Sequence, residues 1–186
     1  MATSGSDHTK PDGAERRSRL RQYQVQLLER MQAARSGAAT SGRELGVQIG
    51  GQRCLLDLTQ VSEIVPLQRA TPVPLAQDWY LGLANIRGSL TGVIDLARYR
   101  GGAASVAAAD SRHVTFAPGL GFNCALLVDR VLGLRKLADM QASDDADIED
   151  APPWCRQQFL DDAGERWTRI DLALLVREAR FLQVGL

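Results

Sequence analysis

The stretch Trp79–Arg98, WYLGLANIRGSLTGVIDLAR, decides how the rest of the chain is interpreted. Two apolar runs of strand length flank Arg87-Gly88-Ser89. Glycine adopts positive φ without a Cβ clash, so Gly88 favours a tight reversal between the two runs. We therefore predict a β-hairpin with Arg87 at its tip. Asp95 follows the second run, where its side chain can accept a backbone N–H and begin a helical turn.

An apolar run that ends in aspartate recurs along the chain. Four segments share this ending, at Asp57, Asp95, Asp129 and Asp171. Paired carboxylates can serve acid–base catalysis, but aspartate after a strand and before a turn is typical of a backbone cap, so we predict capping. The recurrence indicates a weak internal repeat of two small β units. Many short strands separated by turn signals favour a mainly β fold, as barrels or a sandwich.

Charge and composition limit the possible function classes. Lys plus Arg and Asp plus Glu both number 22, so the 186-residue chain has a formal net charge of zero, which argues against a broad nucleic-acid footprint. No apolar run approaches the roughly 20 residues of a membrane-spanning helix. The N-terminus has no apolar core of a secretory signal. We therefore expect a cytoplasmic globular protein.

Residues that bind metals or act as nucleophiles form no recognisable constellation. The cysteines are widely spaced and are predicted to be reduced core residues: Cys54, Cys124 and Cys155. Neither histidine, His8 or His113, lies in a ligand or nucleophile motif. The acidic loop 138–153 begins like a calcium loop but has Asp150 where glycine is needed. We predict a solvated loop, with docking to a basic partner as the alternative, and we expect no cofactor, no metal and no enzymatic activity.

Composition shifts divide the chain into three segments. Residues 1–13 are polar and predicted to be a disordered tail. Residues 14–42 contain an amphipathic helix with an arginine-rich face and a short linker, the helix either packing on its own domain or binding a partner or membrane surface. Residues 43–186 form the β domain. We predict two subdomains, roughly 43–100 and 101–186, with possible strand exchange between them.

The motif of Gly82–Leu96, Gly-Leu-Ala-Asn-Ile-Arg-Gly-x-Leu-x-x-Val-Ile-Asp-Leu, resembles the signature hairpin of the CheW-like chemotaxis adaptor family. Further similar segments are Val-x-Glu-Ile at 61–64, Pro-Val-Pro at 72–74 and the apolar stretch 126–133. One departure is Gly92, where the family usually has proline, and this change is expected to loosen the strand locally. The resemblance implies two small five-stranded SH3-like barrels side by side, with an N-terminal amphipathic helix and a short C-terminal helix.

The resemblance also implies a function. Members of the family lack enzymatic activity and bridge the cytoplasmic tip of a methyl-accepting chemoreceptor to the regulatory domain of a CheA-like histidine kinase. They contact the membrane only indirectly, at receptor arrays, and bind no nucleic acid. Residues 154–171 are more similar to the pilus-associated, PilI-like branch, which implies control of type IV pilus twitching motility. The alternatives are a flagellar coupling protein of the same family and a β-barrel nucleic-acid-binding module.

By position, the resemblance implies a set of partner-binding residues. Those near the receptor-binding groove are Val61, Glu63, Gly82, Arg87 and Gly88, with Glu63 and Arg87 as an acid–base pair. A second barrel face, within the turn expected at 127–134, would dock the kinase and includes Val131 and Gly133. A structural role is the alternative for each: Val61 as a core residue, the glycines as backbone requirements, and Arg87 as a solvated turn residue.

Overall fold

A computed structural model of the chain describes residues 42–143 and 151–186. The N-terminal tail and helix predicted for residues 1–42, apart from Gly42, and the central part of the predicted acidic loop lie outside these residues. Within the described part, the strands in chain order are β1 (Arg43–Ile49), β2 (Gln52–Asp57), β3 (Val61–Pro66), β4 (Tyr80–Ile86), β5 (Ser89–Ile94), β6 (Arg112–Phe116), β7 (Cys124–Val128), β8 (Arg130–Lys136), β9 (Gln141–Ala142), β10 (Gln158–Leu160) and β11 (Arg166–Ile170).

The strands form two sheets, which confirms the mainly β prediction. The first sheet has the order β8-β1-β2-β11-β10-β9, and the second has the order β3-β6-β7-β5-β4. Most neighbours are antiparallel, whereas β2 with β11 and β5 with β7 run parallel. The first sheet has six strands where five were expected, and its extra edge strand is the two-residue β9. The subdomain boundary near residue 100 stays a prediction, and both sheets pair strands from before and after that residue.

Three short helices follow strands or lie near the C-terminus: α1 (Leu96–Tyr99), α2 (Leu172–Leu175) and α3 (Ala179–Leu182). The sequence predicts a last helix from Asp171 through Ala179 and a closing strand at 181–184. The structure instead has two helices, because Glu178 adopts extended backbone angles between them. No helix of the described residues has the length and apolar character needed to cross a membrane.

The apolar character of residues 154–160 also predicts a strand, and this prediction is only partly correct. Residues Pro153–Cys155 form a single 3₁₀ turn, and only Gln158–Leu160 are extended. Proline fixes φ near the helical value, so Pro153 is suited to the first position of such a turn. Apolar side chains suggested the strand. Two of them, Trp154 and Cys155, lie in this turn instead and are almost inaccessible to solvent.

The four aspartates were all predicted to cap a turn or helix. Asp95 accepts a hydrogen bond from Arg98 N at the start of α1, and Asp171 accepts one from Leu174 N in α2. Asp57 accepts from the N–H of the second residue after it, at 2.8 Å, which forms an Asx turn. The prediction is wrong for Asp129, since β8 begins directly after it and its carboxylate instead accepts from Gly51 N at 2.9 Å, across the sheet.

Both sheets contribute to one common hydrophobic core. Strand alternation decides which side chains enter it: in β7, Leu126 and Val128 belong to this core, whereas Ala125 and Leu127 belong to a second, smaller core of the second sheet. The helix α3 adds Phe181, whose ring stacks against Trp79 with centroids 5.8 Å apart. Phe181 therefore joins the common core from a helix and not from the strand that was expected at 181–184.

A buried ionic group ties together three strands of the first sheet. Arg169 in β11 contacts Glu44 Oε1 in β1 at 3.0 Å and Asp57 Oδ2 in β2 at 3.2 Å. The Glu44 side chain is buried, and its second oxygen has no hydrogen-bond partner. Burial raises the pKa of Glu44, and the nearby Arg169 only partly offsets that effect.

The hairpin predicted from Trp79–Arg98 is present, as β4 and β5 joined by the two residues Arg87 and Gly88. The structure corrects the expectation for Gly92. Its N–H donates to Asn123 O at 2.9 Å, and the hydroxyl of Tyr80 lies 2.9 Å from the place of a Cβ at Gly92. A proline at this position would lose that hydrogen bond, so glycine here is a tightly packed interior residue of β5.

Gly82, also in the hairpin, has φ +121° and approaches a second chain segment closely. Thr71 exchanges two backbone hydrogen bonds with Leu83, of 2.8 and 2.9 Å. A Cβ on Gly82 would lie 2.0 Å from the carbonyl oxygen of Thr71 and 2.8 Å from Pro72 Cα. Any side chain at this position would therefore push the Thr71 segment away from β4.

We predict that Gly82→Ala lowers the free energy of unfolding by roughly 3 kcal/mol or more, because it combines a backbone clash with an unfavourable φ. Gly51→Ala is the matched control: Gly51 also has positive φ, but its Cβ would meet nothing within 4 Å. We expect a cost of about 1 kcal/mol for this control. Urea denaturation measures both values, and equal costs would contradict the close-approach explanation.

A second prediction concerns pH. Because burial raises the pKa of Glu44 above its unfolded value, the stability that Glu44 contributes is full below the unfolded pKa and is lost as the pH rises through the folded pKa. The unfolding free energy of the wild type, relative to Glu44→Gln, should therefore fall as the pH rises from about 4, near the pKa of glutamate in an unfolded chain, towards neutrality. Urea titrations across this range test the sign, and a relative stability that rises with pH would refute it.

Candidate functional site

The tip of the hairpin has an unusual backbone. Arg87 has φ +50° and Gly88 has φ +85°. A two-residue hairpin loop matches the twist of its strands when both central residues have positive φ, which explains why a non-glycine residue is forced into this region. Gly88 N donates to the side-chain oxygen of Asn85 at 2.8 Å. The sequence predicted positive φ only for Gly88, so the conformation of Arg87 is a new finding.

Glu63 lies at an irregularity in the edge strand β3. The pairing of β3 with β6 shifts register between Val61 and Ile64, which is typical of a β-bulge. The hydroxyl oxygen of Thr115 accepts from Glu63 N at 3.0 Å, where the regular ladder is interrupted. The bulge therefore sets the direction of the Glu63 side chain.

The structure brings Glu63 and Arg87 together, as the resemblance implied. Arg87 Nε lies 3.0 Å from Glu63 Oε2, and the two side chains are 73% and 39% exposed. The contact has the distance of an ion pair without the alignment of a hydrogen bond, since that oxygen has no hydrogen-bond partner. An exposed pair of this kind contributes only about 0–1 kcal/mol to stability. Its charges can therefore be rearranged by a partner at small cost.

The short distance between Glu63 and Arg87 also shows that the second sheet is curved. Glu63 lies in one edge strand, β3, and Arg87 follows the other edge strand, β4. In a flat five-stranded sheet the edges would be roughly 19 Å apart, since neighbouring strands lie about 4.8 Å apart. The two side chains cannot span that distance, so the sheet curls until its edges approach each other. The Thr71–Leu83 bridge extends the outer edge of β4 with the chain that follows β3.

An open cavity of about 310 Å³ lies between the edges of the two sheets. We call it the edge cavity; its lining residues are Ile64, Asp110, Arg112, Arg130 and Val131. Ile64 is the neighbour of Glu63 in β3 and is 43% exposed, whereas Val131 comes from β8 of the first sheet. The edge cavity therefore has aliphatic side chains from both sheets and charged residues around them.

The other residues implied by the resemblance lie in different environments. Val61 is half-buried, pairs with Phe116 and packs on the common core. Gly82 is buried beneath Thr71, so it has a structural role. Gly133 has φ +90° and is exposed in β8, at the register shift opposite Gly46. The turn expected at 127–134 is wrong, because residues 130–136 form β8.

Four residues of the edge cavity were missed by the sequence-based prediction: Ile64, Asp110, Arg112 and Arg130. Alternation along a strand predicts that the side chains of Ile64 and Glu63 point to opposite faces of β3. It does not show which of these faces other elements cover. Arg112 donates to the carbonyl oxygens of Ala109 and Ser111, at 2.9 and 2.7 Å. Arg130 had one usable signal, its position directly before the implied residue Val131.

Burial is the largest cause of the pKa shifts of several core residues. It raises the pKa of Cys54 to about 12 and that of Cys124 to about 11. It lowers the pKa of His113, whose Nδ1 accepts a weak contact from Gln68 N at 3.5 Å. All three cysteines are free thiols. Among the described residues, no three His, Cys, Asp or Glu side chains cluster as metal ligands would.

Three comparisons place the chain among known proteins. The family profile described as "CheW-like domain" matches residues 44–180. Protein PilI of Pseudomonas aeruginosa is 29% identical over 102 residues, which is 55% of this chain and 57% of that protein. The chain thus matches little more than half the length of this curated relative.

The third comparison concerns the fold. The crystal structure of the scaffolding protein TtCheW from Thermoanaerobacter tengcongensis superposes with a TM-score of 0.62, covering 74% of this chain and 94% of that one at 21% identity. This similarity confirms the predicted fold class, with its two sheets and few short helices. Because the family profile extends over most of the chain, from β1 to α3, the protein belongs to the CheW-like domain family.

Proposed function

We propose that the protein is a non-enzymatic adaptor that couples a methyl-accepting chemoreceptor to a CheA-like histidine kinase. The observation that carries the proposal is the weakly held Glu63–Arg87 pair next to the edge cavity, in a chain of the CheW-like family. The relative named PilI supports a role in type IV pilus twitching motility over a flagellar pathway. The adaptor would act in the cytoplasm, at receptor arrays, and meet the membrane only through the receptor.

In this proposal, the receptor's helical tip places apolar side chains against Ile64 and Val131. The charged tip of the hairpin then orients the receptor, since Arg87 is mostly exposed and its pairing with Glu63 costs little to exchange. Such an interface gains most of its affinity from a few buried aliphatic contacts. The edge cavity is open to solvent and small, so it suits protruding side chains better than a whole small-molecule ligand.

A different surface would bind the regulatory domain of the kinase. β8 is an edge strand of the first sheet, and Leu134 on it is 56% exposed. Gly133, with its open surroundings and positive φ, interrupts the regular strand beside this leucine. An exposed aliphatic side chain on an unpaired strand edge is suited to docking against another β domain.

A nucleic-acid-binding function is the less favoured candidate. Modules that bind single strands stack bases on exposed aromatic rings. The three tryptophans, Trp79, Trp154 and Trp167, are buried in this structure. This arrangement favours protein partners.

We predict that Arg87→Asn weakens binding of a receptor cytoplasmic fragment by about tenfold, the effect of roughly 1.4 kcal/mol. Asparagine tolerates positive φ, so this variant keeps the turn and removes only the charge. Arg69→Asn, an exposed arginine outside the site, is the control. Isothermal titration calorimetry measures the affinity, and thermal unfolding verifies that both variants fold. Equal receptor affinity of both variants would remove Arg87 from the binding site.

A pair of variants should separate the two partners. Ile64→Ser should reduce receptor binding by about tenfold and leave kinase binding unchanged, while Leu134→Ser should do the reverse. Both residues are exposed aliphatics in strands, so each variant is the control for the other. Pull-downs with the separate receptor fragment and kinase regulatory domain provide the readout. If either variant weakens both partners equally, the assignment of two surfaces is wrong.

A further inference from the structure

A second cavity, rich in arginine, borders the edge cavity and shares only Arg130 with it. It has a volume of about 580 Å³ and we call it the arginine trough. Four arginines and one glutamate line it: Arg53, Arg100, Arg130, Arg166 and Glu165. The remaining lining is mostly polar and includes three glutamines. In a chain with a formal net charge of zero, this concentration of positive charge requires an explanation.

The strand register explains part of this concentration. Gln48 in β1 lies directly opposite Arg53 in β2 on one side and Arg130 in β8 on the other. Residues directly opposite each other in antiparallel strands point to the same face, so the two guanidinium groups flank one glutamine. Three neighbouring strands therefore present a row of donors to solvent.

The charges of the trough are only partly neutralised. Arg53 pairs with Glu165 at 2.7 Å and also lies over the ring of Trp167. Within residues 42–143 and 151–186, no carboxylate lies within ion-pair distance of Arg100 or Arg130. Both arginines are exposed. A concave surface with uncompensated arginines raises the local concentration of anionic groups.

The trough continues into a neighbouring cavity of about 500 Å³. The two share Gly51, Gln52 and Arg100 as lining residues. Asp129 lines only the neighbouring cavity, and its carboxylate accepts from Gly51 N, in the β1–β2 turn, at 2.9 Å. The two cavities therefore adjoin at the β1–β2 turn.

We propose that the arginine trough docks an extended acidic segment of a partner protein. Arginine binds carboxylates through a planar fork of N–H donors. The glutamines Gln48, Gln52 and Gln158 offer both donors and acceptors, which match the N–H and C=O groups of an extended backbone. The trough lies on the β1–β2 side of the first sheet and needs neither the edge cavity nor the hairpin tip for binding, apart from the shared border residue Arg130.

Other anions fit the trough less well. No aromatic ring lines it, so it lacks a platform for stacked bases. Its arginines are not deeply buried, so it lacks the closed pocket that selects a small phosphate. It is concave and polar, whereas a membrane-binding surface presents exposed apolar side chains to the lipid.

The test measures the fluorescence anisotropy of a labelled peptide of about twelve residues that alternates glutamate and serine, bound to the full chain. The variant Arg53→Gln with Arg100→Gln should weaken binding by about tenfold or more. The variant Arg69→Gln with Arg177→Gln removes the same charge at exposed positions outside the trough and should change the affinity less than twofold. Neither pair touches the edge cavity, so receptor binding should persist in both variants.

Three outcomes would overturn the proposal. The first is no binding of the peptide, and the second is an equal loss in the trough variant and in the control variant, which would indicate diffuse charge. The third is equally strong, trough-dependent binding of a single-stranded oligonucleotide, of anionic phospholipid vesicles or of inorganic phosphate, which would indicate an unselective anion site. Thermal unfolding of both variants ensures that a loss of binding is not a loss of folding.

Discussion

The close approach of Thr71 to Gly82 is the contact on which the rest of the candidate site depends. The second sheet has two edge strands, and the chain between them must cross from one edge to the other. It does so by pairing Thr71 with Leu83, which requires that Gly82 carry no side chain. With this bridge the sheet remains curled, and Glu63 and Arg87 meet although they belong to opposite edges.

The common core sets the distance between the edges of the two sheets, on which the site also depends. Side chains of both sheets, such as Val47 of β1 and Val114 of β6, belong to one buried cluster. Close-packed interiors resist deformation, so the edges of the two sheets are held at a defined separation. Ile64 and Val131 therefore face one small cavity, although they come from different sheets. The charged pair beside the cavity is exposed and weak, which leaves it available to a partner.

Local sequence signals were sufficient for a large part of the fold. The hairpin and the caps at Asp95 and Asp171 follow from turn and capping preferences of neighbouring residues. The errors have a different origin. Phe181 was wrongly assigned to a strand because the rings that it packs against, Trp79 and Tyr99, lie about eighty or more residues away along the chain. Asp129 was wrongly assigned to a cap because its carboxylate accepts a hydrogen bond from Gly51 N, which lies far away along the chain.

The candidate site could also be predicted only in part from local sequence signals. The pairing of Glu63 with Arg87 was anticipated only through the family resemblance, since nothing in local periodicity brings two edge strands together. For Gly82 the resemblance implied partner binding, with a backbone requirement as the alternative, and its close approach to Thr71 supports the alternative. Ile64 and Arg130 were missed because the exposure of a strand residue depends on what packs against that face.

Hydrogen–deuterium exchange of the full chain, with and without a receptor cytoplasmic fragment, tests the central claim most directly. The account predicts slower exchange on binding in peptides that cover 61–66, 86–89 and 130–134, because these segments surround the charged tip and the edge cavity. Protection confined to other segments, with these three unchanged, would contradict it.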